Sequence, residues 1–162
     1  MNKGCIMAEI NDFGVAVKND NYNEIAAYGI ACIYHMMEKE VADYLRGYDL
    51  TLAKFNSLLI IKHVGSKQGI SQIEIGKRLI VTASNMTRLI DNLIKEGYVI
   101  RSRHKTDRRI NLIKITKKGR QKLENIWPGY LEQIKKMVNK IEKKKQKALA
   151  KILLEWSRKF YN

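Results

Sequence analysis

Residues 71–115 constrain this chain more than any other stretch, because two short capped helices, a tight turn and a charged hairpin follow one another with little chain to spare. Ser71-Gln72-Ile73-Glu74 reads as a capping box, in which the serine hydroxyl and the glutamate three positions on satisfy each other's orphan amides. The helix it opens is short and runs to about Leu79. Thr82 then caps a second helix that continues to Glu96 and is stopped by Gly97, the residue type favoured at a left-handed C-terminal position. At Tyr98 the pattern turns to strand. Tyr98-Val99-Ile100 and Ile110 to Ile115 are rich in β-branched and aliphatic residues around a polar tip, His104-Lys105-Thr106-Asp107-Arg108-Arg109. This order is that of a helix-turn-helix followed by a wing.

Charge points the same way. The chain of 162 residues carries 31 basic and 16 acidic side chains, a formal charge of +15, which attracts nucleic acid, anionic membrane or another acidic surface. Residues 1–50 hold 4 basic and 8 acidic groups, whereas residues 51–162 hold 27 and 8. Within residues 98–122 there are 10 Lys or Arg against one acid, Asp107, so the polyanion-binding surface belongs to the hairpin region. The longest aliphatic run is Leu58-Leu59-Ile60-Ile61, far short of the ~20 residues that span a bilayer, and the N-terminus has no signal-peptide core. Two cysteines, Cys5 and Cys32, are too few for a secreted disulfide framework. The expectation is a cytoplasmic protein with no membrane partner, large enough to hold a core without disulfides or metal.

Helices flank this centre. From about Asn21 to Arg46 two apolar stripes overlap, Ile25, Tyr28, Cys32, Met36 and Ile30, Ile33, Met37, Val41, Tyr44, so the helix needs more than one partner surface. Gly47 and Asp49 interrupt it, and Thr51 caps a helix carrying Leu52, Phe55, Leu58 and Leu59 to about Val64. Gly65 to Gly69 reads as a turn. Thr116 caps a long helix whose seam Leu123, Trp127, Tyr130, Ile134, Met137, Ile141 is coiled-coil-like, with a kink expected at Pro128. A last helix, roughly Lys145 to Phe160, places Leu149, Ile152, Leu153, Trp156 and Phe160 on one side. A winged-helix core of about 60 residues cannot cover all these stripes, so a second copy of the chain is the expected cover. The predicted fold is mainly α with a small β-hairpin wing: a mobile tail over 1–20, a dimerisation helix over 21–49, a winged helix-turn-helix lobe over 50–116 and dimerisation helices over 117–162.

On a helical wheel, Ala83, Met86, Leu89, Ile90 and Leu93 face inward. Ser84, Arg88, Asp91 and Lys95 face outward, flanked by Asn85, Thr87 and Asn92. Those polar types suit a major groove: Ser and Thr bond phosphate or base edges, Asn matches adenine and Arg matches guanine. Asp91 is discordant there and is expected to pair with Lys95, four residues on. At the hairpin tip an arginine is suited to a narrow minor groove, with Asp107 holding a neighbouring guanidinium. An ordinary solvated face is the alternative for both surfaces.

Leu50-Thr51-Leu52, Ser71 to Leu79, Thr87-Arg88-Leu89-Ile90-Asp91-Asn92-Leu93 before Lys95-Glu96-Gly97-Tyr98-Val99, and Asp107-Arg108-Arg109 leading to Ile115-Thr116-Lys117-Lys118-Gly119 together resemble the MarR (multiple antibiotic resistance regulator) family over residues 20–162. The resemblance implies a homodimer built through the first and last helices, an effector pocket between that interface and the DNA-binding lobe, and repression or activation of transcription at a palindromic operator, with repression as the expectation. By position, Ser71 and the outer face from Thr82 to Asn92 (Thr82, Ser84, Asn85, Thr87, Arg88, Asn92) would meet double-stranded DNA in the major groove. Arg109, steadied by Asp107, would enter the minor groove, with Arg103, Lys105 and Arg108 completing the basic wing. The family also implies a small-molecule effector, whose binding residues the resemblance does not assign.

Cys32 and His35, three apart on one helix, form half a metal site that His63 would have to complete, and a small buried hydrophobe is the commoner role for such a cysteine. A redox role for Cys32 resembles family members that sense peroxide, but no Lys or Arg within six residues stabilises a thiolate. No cofactor or metal is expected. Phosphate-cradling glycine loops, nucleophile elbows and metalloprotease motifs are lacking, so an enzyme has no support in the sequence. A basic RNA-binding protein without catalytic activity is the rival reading, weakened because the aromatics sit in helical seams and not in the basic segment.

Overall fold

The computed structural model describes residues 21–65, 68–79, 83–103 and 111–160. The expected tail, the turn holding Thr82 and the hairpin tip with Lys105, Asp107, Arg108 and Arg109 lie outside the described residues. Nine elements follow in order among those described: α1 (Tyr22–Arg46), α2 (Leu52–His63), β1 (Ile70–Ser71), α3 (Gln72–Arg78), α4 (Ala83–Lys95), β2 (Val99–Arg103), β3 (Asn111–Ile115), α5 (Lys117–Val138) and α6 (Lys143–Arg158). The architecture is mainly helical with a small hairpin and flanking helices. No helix among the described residues is long and apolar enough to cross a membrane.

The caps form where the side chains dictate. Thr51, Ser71 and Thr116 sit in extended backbone, and their hydroxyls accept from the amides of Lys54 (3.3 Å), Glu74 (3.1 Å) and Gly119 (3.0 Å). Gly97 ends α4 with φ +76°, as its residue type predicts. Only half of the capping box forms. Glu74 directs its carboxylate to Lys77 (2.9 Å) and Arg78 (2.7 Å), which become neighbours on the same helix face. Hydrogen bonds from Arg78 and then Lys77 hold its carboxyl below the ordinary carboxylate range.

The sheet has one strand more than the sequence pattern suggested. β3 lies between β1 and β2, antiparallel to both, with Val99 opposite Ile115 and Arg103 opposite Asn111 on one side, and Ile70 opposite Ile113 on the other. Two residues are too short to show a strand pattern; β1 exists because β3 offers it an edge.

The chain divides into two compact units within α1, residues 1–43 and 44–162. In the first, Cys32 and Val41 are buried, while Tyr28, Ile30, Ile33, Tyr34 and Met36 are exposed. In the second, α2 contacts β3, α5, α3 and α4 and so organises the core. Phe55, Leu58, Ile75, Ile90, Leu93, Val99, Ile113, Leu123 and Ile126 are fully enclosed there.

The expected α5 seam is corrected in two ways. Ile126, not Trp127, follows Leu123 into the core, and Tyr130 packs on Phe55 with ring centroids 5.1 Å apart, so part of the seam is satisfied within one chain. The helix ends at Val138, which puts Ile141 in the junction before α6. Pro128 lies inside a continuous helix, and next to it Gly129 admits Tyr44, whose hydroxyl donates to the Ile126 carbonyl (2.9 Å). By contrast α6 starts at Lys143, two residues early, and buries no residue at all.

Candidate nucleic-acid interface

Packing decides which face of α4 is available. Met86, Ile90 and Leu93 are buried and Leu89 is half-buried, which leaves Asn85, Thr87, Arg88, Asp91, Asn92 and Lys95 exposed on the opposite side. This is the predicted division. Ser84 is placed by its backbone in the first turn of α4, and Arg103 by its backbone at the end of β2.

The C-terminal half of α4 is anchored to other elements. At the C-terminal end Glu96 forms an ion pair with Lys54 of α2, and Lys118 donates to the Glu96 carbonyl at 2.7 Å. One turn earlier Asp91 pairs with Arg101 of β2 at 2.8 Å, not with Lys95 as expected. β2 runs alongside α4 and carries the arginine to the Asp91 carboxylate. The hairpin is thereby tied to α4.

The basic segment is less uniformly outward than its charge count implied. Arg101 is engaged by Asp91, Lys118 lies 5.1 Å from the Tyr98 ring centre, and Lys122 lies near the rings of both Tyr98 and Tyr48. Thr116 closes this corner, donating to the carbonyls of Gly97 (2.7 Å) or Tyr98 (3.1 Å) while capping α5. These contacts fix the root of the hairpin against the start of α5.

Toward the turn between α3 and α4, the sequence reading missed one residue. Gln72, at the start of α3, donates through Nε2 to Thr87 Oγ1 on α4 at 2.8 Å. Ser71, just before it, is half-buried, and its oxygen is engaged as the α3 cap. Cys32 is a free, buried cysteine, and among the described residues no group of three or more His, Cys, Asp and Glu is placed to hold a metal. A cleft of about 250 Å³ opens between α2 and α5, lined by Leu59, Lys62, His63, Leu123, Trp127 and Pro128.

The sequence model of the MarR family matches residues 50–110, the stretch that runs from the cap of α2 through the hairpin tip. Over these residues the chain is of the MarR type. It is 29% identical over 119 residues to the HTH-type transcriptional repressor YetL of Bacillus subtilis, covering 74% of this chain and 68% of that protein. It superposes on a putative MarR-like transcription regulator from Bacillus cereus with a TM-score of 0.74 at 25% identity, over 84% of this chain and 96% of that one. A cysteine-to-serine mutant of MarR from E. coli, solved in complex with operator DNA, matches with a TM-score of 0.70 at 26% identity, over 85% and 98%. MarR-family regulators are non-enzymatic DNA-binding proteins, and this chain is a MarR-type DNA-binding regulator of transcription.

Proposed function

We propose that the protein is a homodimeric transcriptional repressor that reads a roughly palindromic operator and is released from it by a small-molecule effector. The observation that carries this reading is the two-sidedness of α4. Its apolar face is locked into the core, and its outer face presents Asn85, Thr87, Arg88 and Asn92 beside a basic hairpin. In this reading Ser84, Asn85, Arg88 and Asn92, with Thr82 and Thr87, enter the major groove. Ser71, its oxygen engaged in capping, donates its hydroxyl to a phosphate. Arg109, oriented by Asp107, enters the minor groove, and Arg103, Lys105 and Arg108 meet phosphates. The operator-bound E. coli MarR mutant supports the DNA assignment, and the repressor YetL supports the sign of regulation.

Dimerisation is proposed through α1 over 21–49 and the helices of 117–162, with 50–116 as the DNA-binding lobe. Exposed Ile30, Ile33, Tyr34 and Met36 on α1, and Leu149, Ile152, Leu153 and Trp156 on α6, support it. Selection from random duplex DNA tests the operator reading. The wild type should enrich a two-fold motif with half-sites about one helical turn apart. Arg88→Ala should relax one base pair per half-site, and Arg109→Ala should weaken binding by about 1–3 kcal/mol without altering that preference. Enrichment of no motif, or equal competition by duplex RNA, refutes the proposal.

A further inference from the structure

We infer that Gln72 is a specificity-determining residue, its side-chain amide held by Thr87 so that it reads an adenine edge next to the bases read by α4. The inference rests on the major-groove reading of α4. Gln72 and Thr87 lie 15 positions apart, on the two helices of the helix-turn-helix, and are joined by the 2.8 Å bond from Nε2 to Oγ1. That bond is exposed. Water would satisfy either group equally well, so the bond contributes little to stability. Its effect is to orient: a glutamine side chain otherwise loses its rotamer freedom only on binding, and here it is held beforehand.

The remaining chemistry of the amide is specific. A glutamine amide has two N–H donors and one acceptor oxygen. With one N–H given to Thr87, the second N–H and Oε1 form the donor and acceptor pair that matches N7 and N6 of adenine. Other side chains of α3 are committed elsewhere, since Lys77 and Arg78 both pair with Glu74. Gln72 is thus the polar group of α3 placed beside the exposed row Asn85, Thr87 and Arg88.

The test is selection from random duplex DNA by the full-length wild type, Gln72→Ala, Thr87→Val and the double variant, with binding measured at several salt concentrations. Gln72→Ala should lose preference for A·T at one position per half-site, weaken the selected site about tenfold and leave the other positions unchanged. Thr87→Val should loosen the same position, and at that position the double variant should be no worse than Gln72→Ala alone, because there the pair acts as a unit. Unchanged melting curves confirm that the exposed substitutions leave the fold intact. A wild-type motif retained by Gln72→Ala overturns the inference alone. So does a uniform loss on all sequences at an unchanged salt slope, the signature of an uncharged amide that bonds the phosphate backbone and not a base. Failure of the wild type to enrich any motif overturns the reading of α4 and this inference with it.

Discussion

Gly119 shows how much a single missing methyl can decide. A Cβ built there would stand 2.2 Å from the Tyr98 carbonyl oxygen and 2.9 Å from a methylene of Ile115, so the hairpin root sits directly on the first turn of α5. Gly119→Ala should destabilise the protein by about 3 kcal/mol, seen as a lower urea midpoint at unchanged slope. Tyr44 is a second such residue. Burial, then the hydrogen bond and charge of Tyr48, push its hydroxyl up to about 12 from the ordinary 10.0. Below pH 10 the phenol is neutral in both folded and unfolded chains and costs nothing. Between about pH 10 and 12 the unfolded chain ionises first, so stability falls as pH rises. Tyr44→Phe should be less stable than wild type at pH 8, having lost the bond to Ile126, and the gap should narrow by pH 11.5 in urea titrations.

Elements here are held by their ends. Thr116 caps α5 and also closes onto the end of α4 at Gly97 and Tyr98, so Thr116→Val should cost about 1–2 kcal/mol while Thr116→Ser stays near wild type in thermal denaturation. Lys54 joins α2 to the end of α4, and the second oxygen of Glu96, Oε2, is buried without a protein partner. Lys54→Met leaves that carboxylate unpaired. The loss should be about 1–3 kcal/mol, and Glu96→Gln in the same chain should restore part of it. The Asp91–Arg101 pair is more exposed, and Asp91→Asn should change stability by less than about 1 kcal/mol.

At the scale of the molecule, the proposed dimer accounts for helices that a single chain leaves uncovered. A 16-residue helix such as α6 is marginal by itself in water, and none of its residues is buried. Covering Leu149, Ile152, Leu153, Leu154 and Trp156 would contribute about 1–2 kcal/mol for each side chain. Light scattering at micromolar concentration should therefore find twice 18.8 kDa. Removing residues 143–162 should yield monomers whose DNA binding is weak and falls less steeply with salt than that of the full-length protein, since each lobe keeps half of the phosphate contacts. A monodisperse single-chain species in the full-length protein would refute the dimer.

What the sequence determined by itself was local. Thr51, Ser71 and Thr116 start helices because a hydroxyl reaches an amide three residues ahead in any context, and Gly97 stops one because only glycine enters φ +76° without strain. The two faces of α4 were legible for the same reason: a 3.6-residue period divides Met86, Ile90 and Leu93 from Asn85, Arg88 and Asn92 whatever the neighbours are. Only the tertiary structure decided which distant groups meet. It gave Asp91 to Arg101, Gln72 to Thr87, a second sheet edge to Ile70 and Ser71, and the core position on α5 to Ile126 in place of Trp127. Each of these choices depends on how separate elements pack, and a side chain with several acceptable partners takes the one that packing brings within reach.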